Sequence, residues 1–153
     1  MWGRLHSPFW APSRRGRNKR RGGGGGGRTG YGEQYNIAAS GILTRRVGVK
    51  GIDIALVQEP WYREDCIRGM NIPGYTIYYA RGKERPRACI LARNMIAWVR
   101  PVFSCRDLVA IPIKYIEDGA QRRLVVCSAY LPYDSEDPAP KREMVELVRY
   151  CEN

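Results

Sequence analysis

From residue 36 onward the apolar positions fall into short blocks of the kind that build a sheet. Ile52-Asp53-Ile54-Ala55-Leu56-Val57 is a nearly continuous apolar run, the pattern of a strand buried on both faces. Residues 37–50, just before it, carry a helical pattern weakened by Gly41 and Gly48. Further runs at Tyr75–Ala80, Ala88–Ala92, Met95–Val99, Leu108–Ile116 and Arg123–Tyr130 are rich in β-branched and aromatic residues and bounded by Gly, Pro, Asn or Asp, so each predicts a strand. The turn Glu117-Asp118-Gly119-Ala120 predicts a hairpin joining the last two. Pro112 inside a strand predicts an edge or a bulge. A last helix is predicted from about Asp137-Pro138, an N-cap followed by Pro, with Met144, Leu147, Val148 and Cys151 on one face. The order of elements predicts an α/β (α+β) domain, a mixed β-sheet layer with outer helices. The last helix should lead back into the sheet, so the domain is expected to be cut short at its C-terminus.

Composition divides the chain in two. Residues 1–33 hold eight Lys or Arg against one acidic residue, and ten of the 17 Gly, six of them in the run Gly22 to Gly27. Such a segment buries too little to offset its chain entropy, so residues 1–33 are expected to be a disordered Arg/Gly-rich tail and residues 34–153 the folded part. The tail reads either as a nucleic-acid arm or nuclear-import signal, or as a merely solvated terminus. The whole chain has 153 residues and a net charge of +11. No apolar run approaches the roughly 18 residues of a membrane span, and no secretory apolar core is expected behind the basic N-terminus. The five Cys, an odd number without a Cys-x-x-Cys pair, argue against a disulfide scaffold or a structural zinc site and for an intracellular, reducing setting. The one His, His6, lies in the tail, which excludes a His base or His ligand inside the folded part.

Two strand ends carry candidate chemistry. Glu59, in Val57-Gln58-Glu59-Pro60-Trp61, directly follows the first apolar run, and α/β folds place ligands at the C-terminal ends of strands. A carboxylate held there suits a hard cation such as Mg²⁺; the plainer alternative is a carboxylate facing solvent. In Cys127-Ser128-Ala129-Tyr130-Leu131-Pro132-Tyr133-Asp134 another strand ends in polar and aromatic groups. Tyr130 there either hydrogen-bonds a phosphate oxygen or packs on the sheet rim, and Tyr133 or Asp134 could line a cleft. The cysteines read as small buried hydrophobes. No phosphate loop is present, because no Lys-Ser or Lys-Thr follows the Gly run.

In order along the chain, Ile52 to Trp61, Gly69 to Tyr75, Arg87-Ala88-Cys89-Ile90, Ser104 to Ala110, Ser128 to Asp134 and Glu146 to Cys151 resemble the endonuclease domain of non-LTR retrotransposons. The resemblance covers roughly residues 36–152 and is to the N-terminal half of that domain. It implies the endonuclease/exonuclease/phosphatase superfamily, apurinic-endonuclease-like, whose fold is a four-layer α/β/β/α sandwich. It implies hydrolysis of a DNA phosphodiester with Mg²⁺ or Mn²⁺, a nick that primes reverse transcription on the target duplex, and a nuclear setting. Glu59 takes the place of the metal-binding carboxylate and Tyr130 that of the tyrosine near the scissile phosphate. Asn36 is the candidate for the family's strand-end Asn, although its spacing to Glu59 is a few residues short. The resemblance also implies an Asp-x-Asn pair and a late Asp-His pair, followed in the parent protein by a reverse transcriptase. No Asp-x-Asn occurs in the 153 residues and the only His is His6. Removing members of a catalytic unit costs many orders of magnitude, so the polypeptide is expected to be inactive alone. The alternatives are a non-catalytic protein that binds DNA or RNA through its basic tail, and the functionless product of a decayed element.

Overall fold

A computed structural model describes residues 30–82, 84–95, 100–132 and 141–152, with only the backbone described for residues 30–36. Helix α1 spans Gly30–Lys50, so it runs through the boundary expected at residue 33; the rest of the expected tail lies outside the described residues. The helix stops where its sequence supplies a glycine. Gly51 adopts φ +60°, its N–H reaches the Gly48 carbonyl, and the Ile52 N–H reaches that of Val47. This Schellman arrangement satisfies two carbonyls the helix leaves open.

Among the described residues eight strands follow α1: β1 Ile54–Gln58, β2 Tyr62–Arg63, β3 Cys66–Ile67, β4 Tyr75–Tyr78, β5 Ala88–Arg93, β6 Phe103–Ser104, β7 Leu108–Glu117 and β8 Ala120–Ala129; a second helix, α2, spans Arg142–Glu152. They form a three-stranded sheet ordered β1-β5-β4, a small β2-β3 hairpin and a second three-stranded sheet ordered β6-β7-β8. The domain is α+β, as the pattern predicts. Every described strand pair is antiparallel, however, so the expectation of a mixed sheet is corrected. Short turns and hairpins link most neighbours, and such links give antiparallel pairs.

The two larger sheets meet face to face. Ile90 and Ala92 of β5 and Tyr78 of β4 pack against Val109, Ile111 and Ile113 of β7. The opposite faces are covered by different elements. Leu43 of α1 joins Ile67, Met70 and Cys89 on one side. Leu147 and Met144 of α2 join Leu108 and Ala110 on the other. Alternation along β7 explains both contacts, because odd positions face the other sheet and even ones face α2.

One further expectation needs correction. The strand covered on both faces is β5, with Ala88 to Ala92 each 0% exposed, and not β1. β1 pairs on one side only, and Leu56 in it is 37% exposed. An apolar run alone does not distinguish an edge strand from a central one. In α2, Leu147 is buried, but Val148 is 51% exposed and Cys151 is exposed, so its apolar stripe is only partly covered. The expected helix start at Asp137-Pro138 lies outside the described residues, as do residues 96–99 of the expected Met95–Val99 strand; Met95 itself sits in a turn.

The Asp118-Gly119 turn forms as predicted. Both residues have positive φ and Glu117 pairs with Ala120. Pro112 also fits its expected edge position. The carbonyls of Leu108 and Ala110 accept from β6 neighbours Cys105 and Val102, so position 112 points the same way, past the end of β6. Among the described residues, the N–H that Pro lacks has no strand to meet there.

Candidate functional site

Four chain segments converge at one end of the two facing sheets. β1 ends at Gln58 and β5 begins at Ala88, with Arg87 just before it. β7 begins at Leu108, after Asp107, and β8 ends at Ala129, before Tyr130. Charged and aromatic residues therefore stand immediately outside four strands, three of which present an apolar residue next to them.

Backbone hydrogen bonds connect these positions in series. The Glu59 N–H donates to the Arg87 carbonyl at 2.8 Å, the Arg87 N–H to the Arg106 carbonyl at 2.7 Å, and the Tyr130 N–H to the Asp107 carbonyl at 2.7 Å. Gln58 Nε2 donates to the Ala129 carbonyl at 2.8 Å, tying β1 to β8 across the two sheets. Ser128 Oγ adds a longer bond, 3.4 Å, to the Val57 carbonyl.

Side chains repeat the connection. Arg87 donates to both carboxylate oxygens of Asp107, through Nε at 2.5 Å and through Nη2. The Arg87 guanidinium lies over the Tyr130 ring, 4.6 Å from its centroid. Lys141 Nζ stands 3.7 Å from Asp107 and is only 17% exposed. Burial alone would raise the Asp107 carboxyl, but the Arg87 hydrogen bonds and the charges of Arg87, Lys141 and Arg106 outweigh it and hold the group below its ordinary range. Arg87 is held above its usual range, first by its hydrogen bonds to Asp107 and then, against burial, by the charge of Asp107 with smaller contributions from Tyr130 and Glu59.

Glu59 has a backbone strained in its own right. It takes φ +49°, a left-handed conformation that a side chain with a Cβ adopts at a cost of roughly 1–2 kcal/mol. Its carboxylate is exposed at the rim and adds to the field at Arg87. Strain of this kind persists where surrounding structure enforces it, and it collects at functional positions.

The structure thus ties Glu59 and Tyr130 to the same residue, Arg87, the first through its carbonyl and the second through its guanidinium. Asn36 is elsewhere in kind: it lies inside α1, not at the end of a strand, and its side chain is outside the described residues, as are Tyr133 and Asp134. Among the described residues, no group of three or more His, Cys, Asp or Glu side chains gathers as a metal site. The donor set at the rim is one exposed carboxylate, that of Glu59, while Asp107 is already committed to Arg87. These residues do not by themselves complete a divalent-cation site. Sequence reasoning gave no site role to Arg87 and Asp107, which it met only within longer segments, and did not single out Lys141. The available signal was a charged residue directly before each of the two most buried strands.

The cysteines are all free. Burial pushes the Cys89 thiol up to about 12 and, with nearby Cys105 and Cys151, the Cys127 thiol to about 11, so both stay protonated and inert near neutral pH. Among the described residues no helix is long and apolar enough to cross a membrane. Comparison of the chain with protein-family models, curated proteins and solved structures found no match.

Proposed function

We propose that the chain carries the carboxylate-bearing half of an endonuclease/exonuclease/phosphatase-type domain of the non-LTR retrotransposon kind, laid out as part of a four-layer α/β/β/α sandwich. One observation supports this above the rest: Glu59 and Tyr130, at strand ends of two different sheets, are both tied to Arg87, whose carbonyl accepts the Glu59 N–H and whose guanidinium lies over the Tyr130 ring. A strand-end carboxylate and a tyrosine on the rim of two facing sheets are the kind of groups a phosphodiester-binding wall would use. The substrate in this reading is a DNA duplex, acted on in the nucleus. Mg²⁺ or Mn²⁺ belongs to the completed domain, in which further ligands join Glu59. The chain alone does not nick DNA, because its sequence lacks an Asp-x-Asn pair to orient the nucleophile and a His outside the first six residues.

The test is a chimera. Residues 37–152 replace the corresponding segment of an active retroelement endonuclease, and nicking of supercoiled plasmid is followed with Mg²⁺. Nicking that survives the replacement and is abolished by Glu59→Gln supports the reading. A folded chimera with no activity overturns it. In the competing reading the basic head does the work, with eight cations in residues 1–33. Deleting those residues from the natural chain would then remove most DNA affinity and its steep salt dependence.

A further inference from the structure

We propose that Arg87 is a positioning residue: with Asp107 it forms a clamp between the two sheets that fixes the separation and orientation of Glu59 and Tyr130. This inference rests on the proposed phosphodiester site only for its consequence, since the clamp itself is drawn from the geometry.

The clamp has a specific layout. Arg87 precedes β5 in one sheet and Asp107 precedes β7 in the other. Their side chains meet in a two-point pair, and both are largely shielded, with 23% and 18% of their side chains exposed. Each member also holds one site residue through its own backbone. The Arg87 carbonyl accepts the Glu59 N–H, and the Asp107 carbonyl accepts the Tyr130 N–H. The guanidinium then stacks on the Tyr130 ring and restricts its tilt. A displacement of either partner is therefore passed to both site residues. Because its hydrogen bonds go to Asp107, Arg87 serves the site through Glu59 and Tyr130.

A planar guanidinium is required. Lys keeps the charge but cannot make two parallel hydrogen bonds while stacking on a ring. The same chain supplies an internal control. Arg93 lies 5.6 Å from the Tyr75 ring centroid and pairs with Asp53 at 3.0 Å. All three of these residues belong to the β1-β5-β4 side, at the opposite end of β1 and β5 from Glu59.

The experiment uses the full 153-residue chain, with nuclear magnetic resonance of the Glu59 amide and the Tyr130 ring. Arg87→Lys is expected to shift both, and the exchanged pair Arg87→Asp with Asp107→Arg to return them toward their native positions. Arg93→Lys is expected to leave both in place. If Arg87→Lys leaves the Glu59 and Tyr130 signals unmoved, or Arg93→Lys moves them equally, the clamp is overturned. In the chimera described above, Arg87→Lys is expected to lower kcat by about 100-fold, the scale of a 1 Å misplacement, with KM for DNA nearly unchanged. A rise in KM alone would mean that Arg87 grips the nucleic acid directly and would overturn the positioning role. Failure of the unsubstituted chimera would sink the nuclease reading and leave the resonance test of the clamp intact.

Discussion

At one end of β7 and β8, Asp107 and Tyr130 are tied to Arg87 of the other sheet, and Lys141 completes the group. Toward the turn end of the same two strands, Lys114 stands directly opposite Arg123, cation facing cation, both exposed. The sheet is continuous between them, and what differs is burial. At the first end the medium is partly protein, so each charge needs its partner and the partners fix the geometry. At the second end water and salt screen the repulsion, and the chain tolerates a poor pairing. Along these two strands the shielded charges gather at the end where Glu59 emerges.

The largest effect is expected where the clamp is broken. Asp107→Ala leaves Arg87 and Lys141 without their shared counter-charge and should destabilise the fold by about 3 kcal/mol, read from the midpoint of urea unfolding. The same pair gives the protein an acid dependence. Asp107 has its carboxyl lowered by folding, so its contribution is complete above its ordinary value of 3.8 and is lost as pH falls through the lowered one. Thermal melts below about pH 4 should weaken steeply in the native chain and less so in Asp107→Asn. An equal acid slope in both would mean that other carboxylates carry it.

A second contrast runs along the open edge of β8. Even-numbered residues of this strand bond to β7, since Tyr130 N–H donates to Asp107 and the register carries that alternation back to the turn. Odd-numbered residues point their N–H groups to the edge, where no strand pairs among the described residues. Arg122→Pro removes a ladder bond and should cost about 2 kcal/mol. Arg123→Pro, one residue on, removes only an outward N–H and should cost much less. It should also reduce any self-association measured by light scattering, because an edge without its donor is a poorer template for strand addition. Equal costs for the two substitutions would mean that the register is wrong.

How much of this was legible beforehand depends on the element. The Asp118-Gly119 turn and the two strands it joins follow directly from local sequence, because the positive φ angles demand those residue types. The β2-β3 hairpin was not legible: its turn, Glu64-Asp65, also takes positive φ at both positions but lacks the glycine that signals it. The burial of β5 rather than β1 was likewise hidden, since both runs are apolar and only pairing order separates them. At the rim, Glu59 and Tyr130 could be singled out as polar groups ending apolar strands. The Arg87–Asp107 clamp could not, because its partners are 20 residues apart and meet only once the sheets face each other.

Glu59 offers a smaller but more pointed test. Its φ of +49° suits glycine, so Glu59→Gly should raise stability by about 0.5–1 kcal/mol after the entropy of the freer unfolded chain is counted. The same substitution removes the carboxylate and, under the proposed function, should abolish nicking by the chimera. A gain in melting temperature together with a loss of activity would mark a position where the fold bears strain for the sake of a side chain. A loss of stability would show that the Glu59 side chain is itself holding the rim together.

The smallest effect belongs to the turn end. Lys114→Glu turns the repulsive pair with Arg123 into an attractive one across a position where the two strands come close. The gain should be about 0.3–0.5 kcal/mol, because both groups are in water. Its sign under salt is more telling than its size. In the native chain, raising salt from about 0.02 M to 0.5 M screens a repulsion and should stabilise this hairpin slightly; in Lys114→Glu the same change screens an attraction and should weaken it. Lys114→Gln, with neither, should fall between them. If all three respond alike to salt, the Lys114–Arg123 pair is not felt by the fold, and the contrast between the two ends of the sheet rests on the clamp alone.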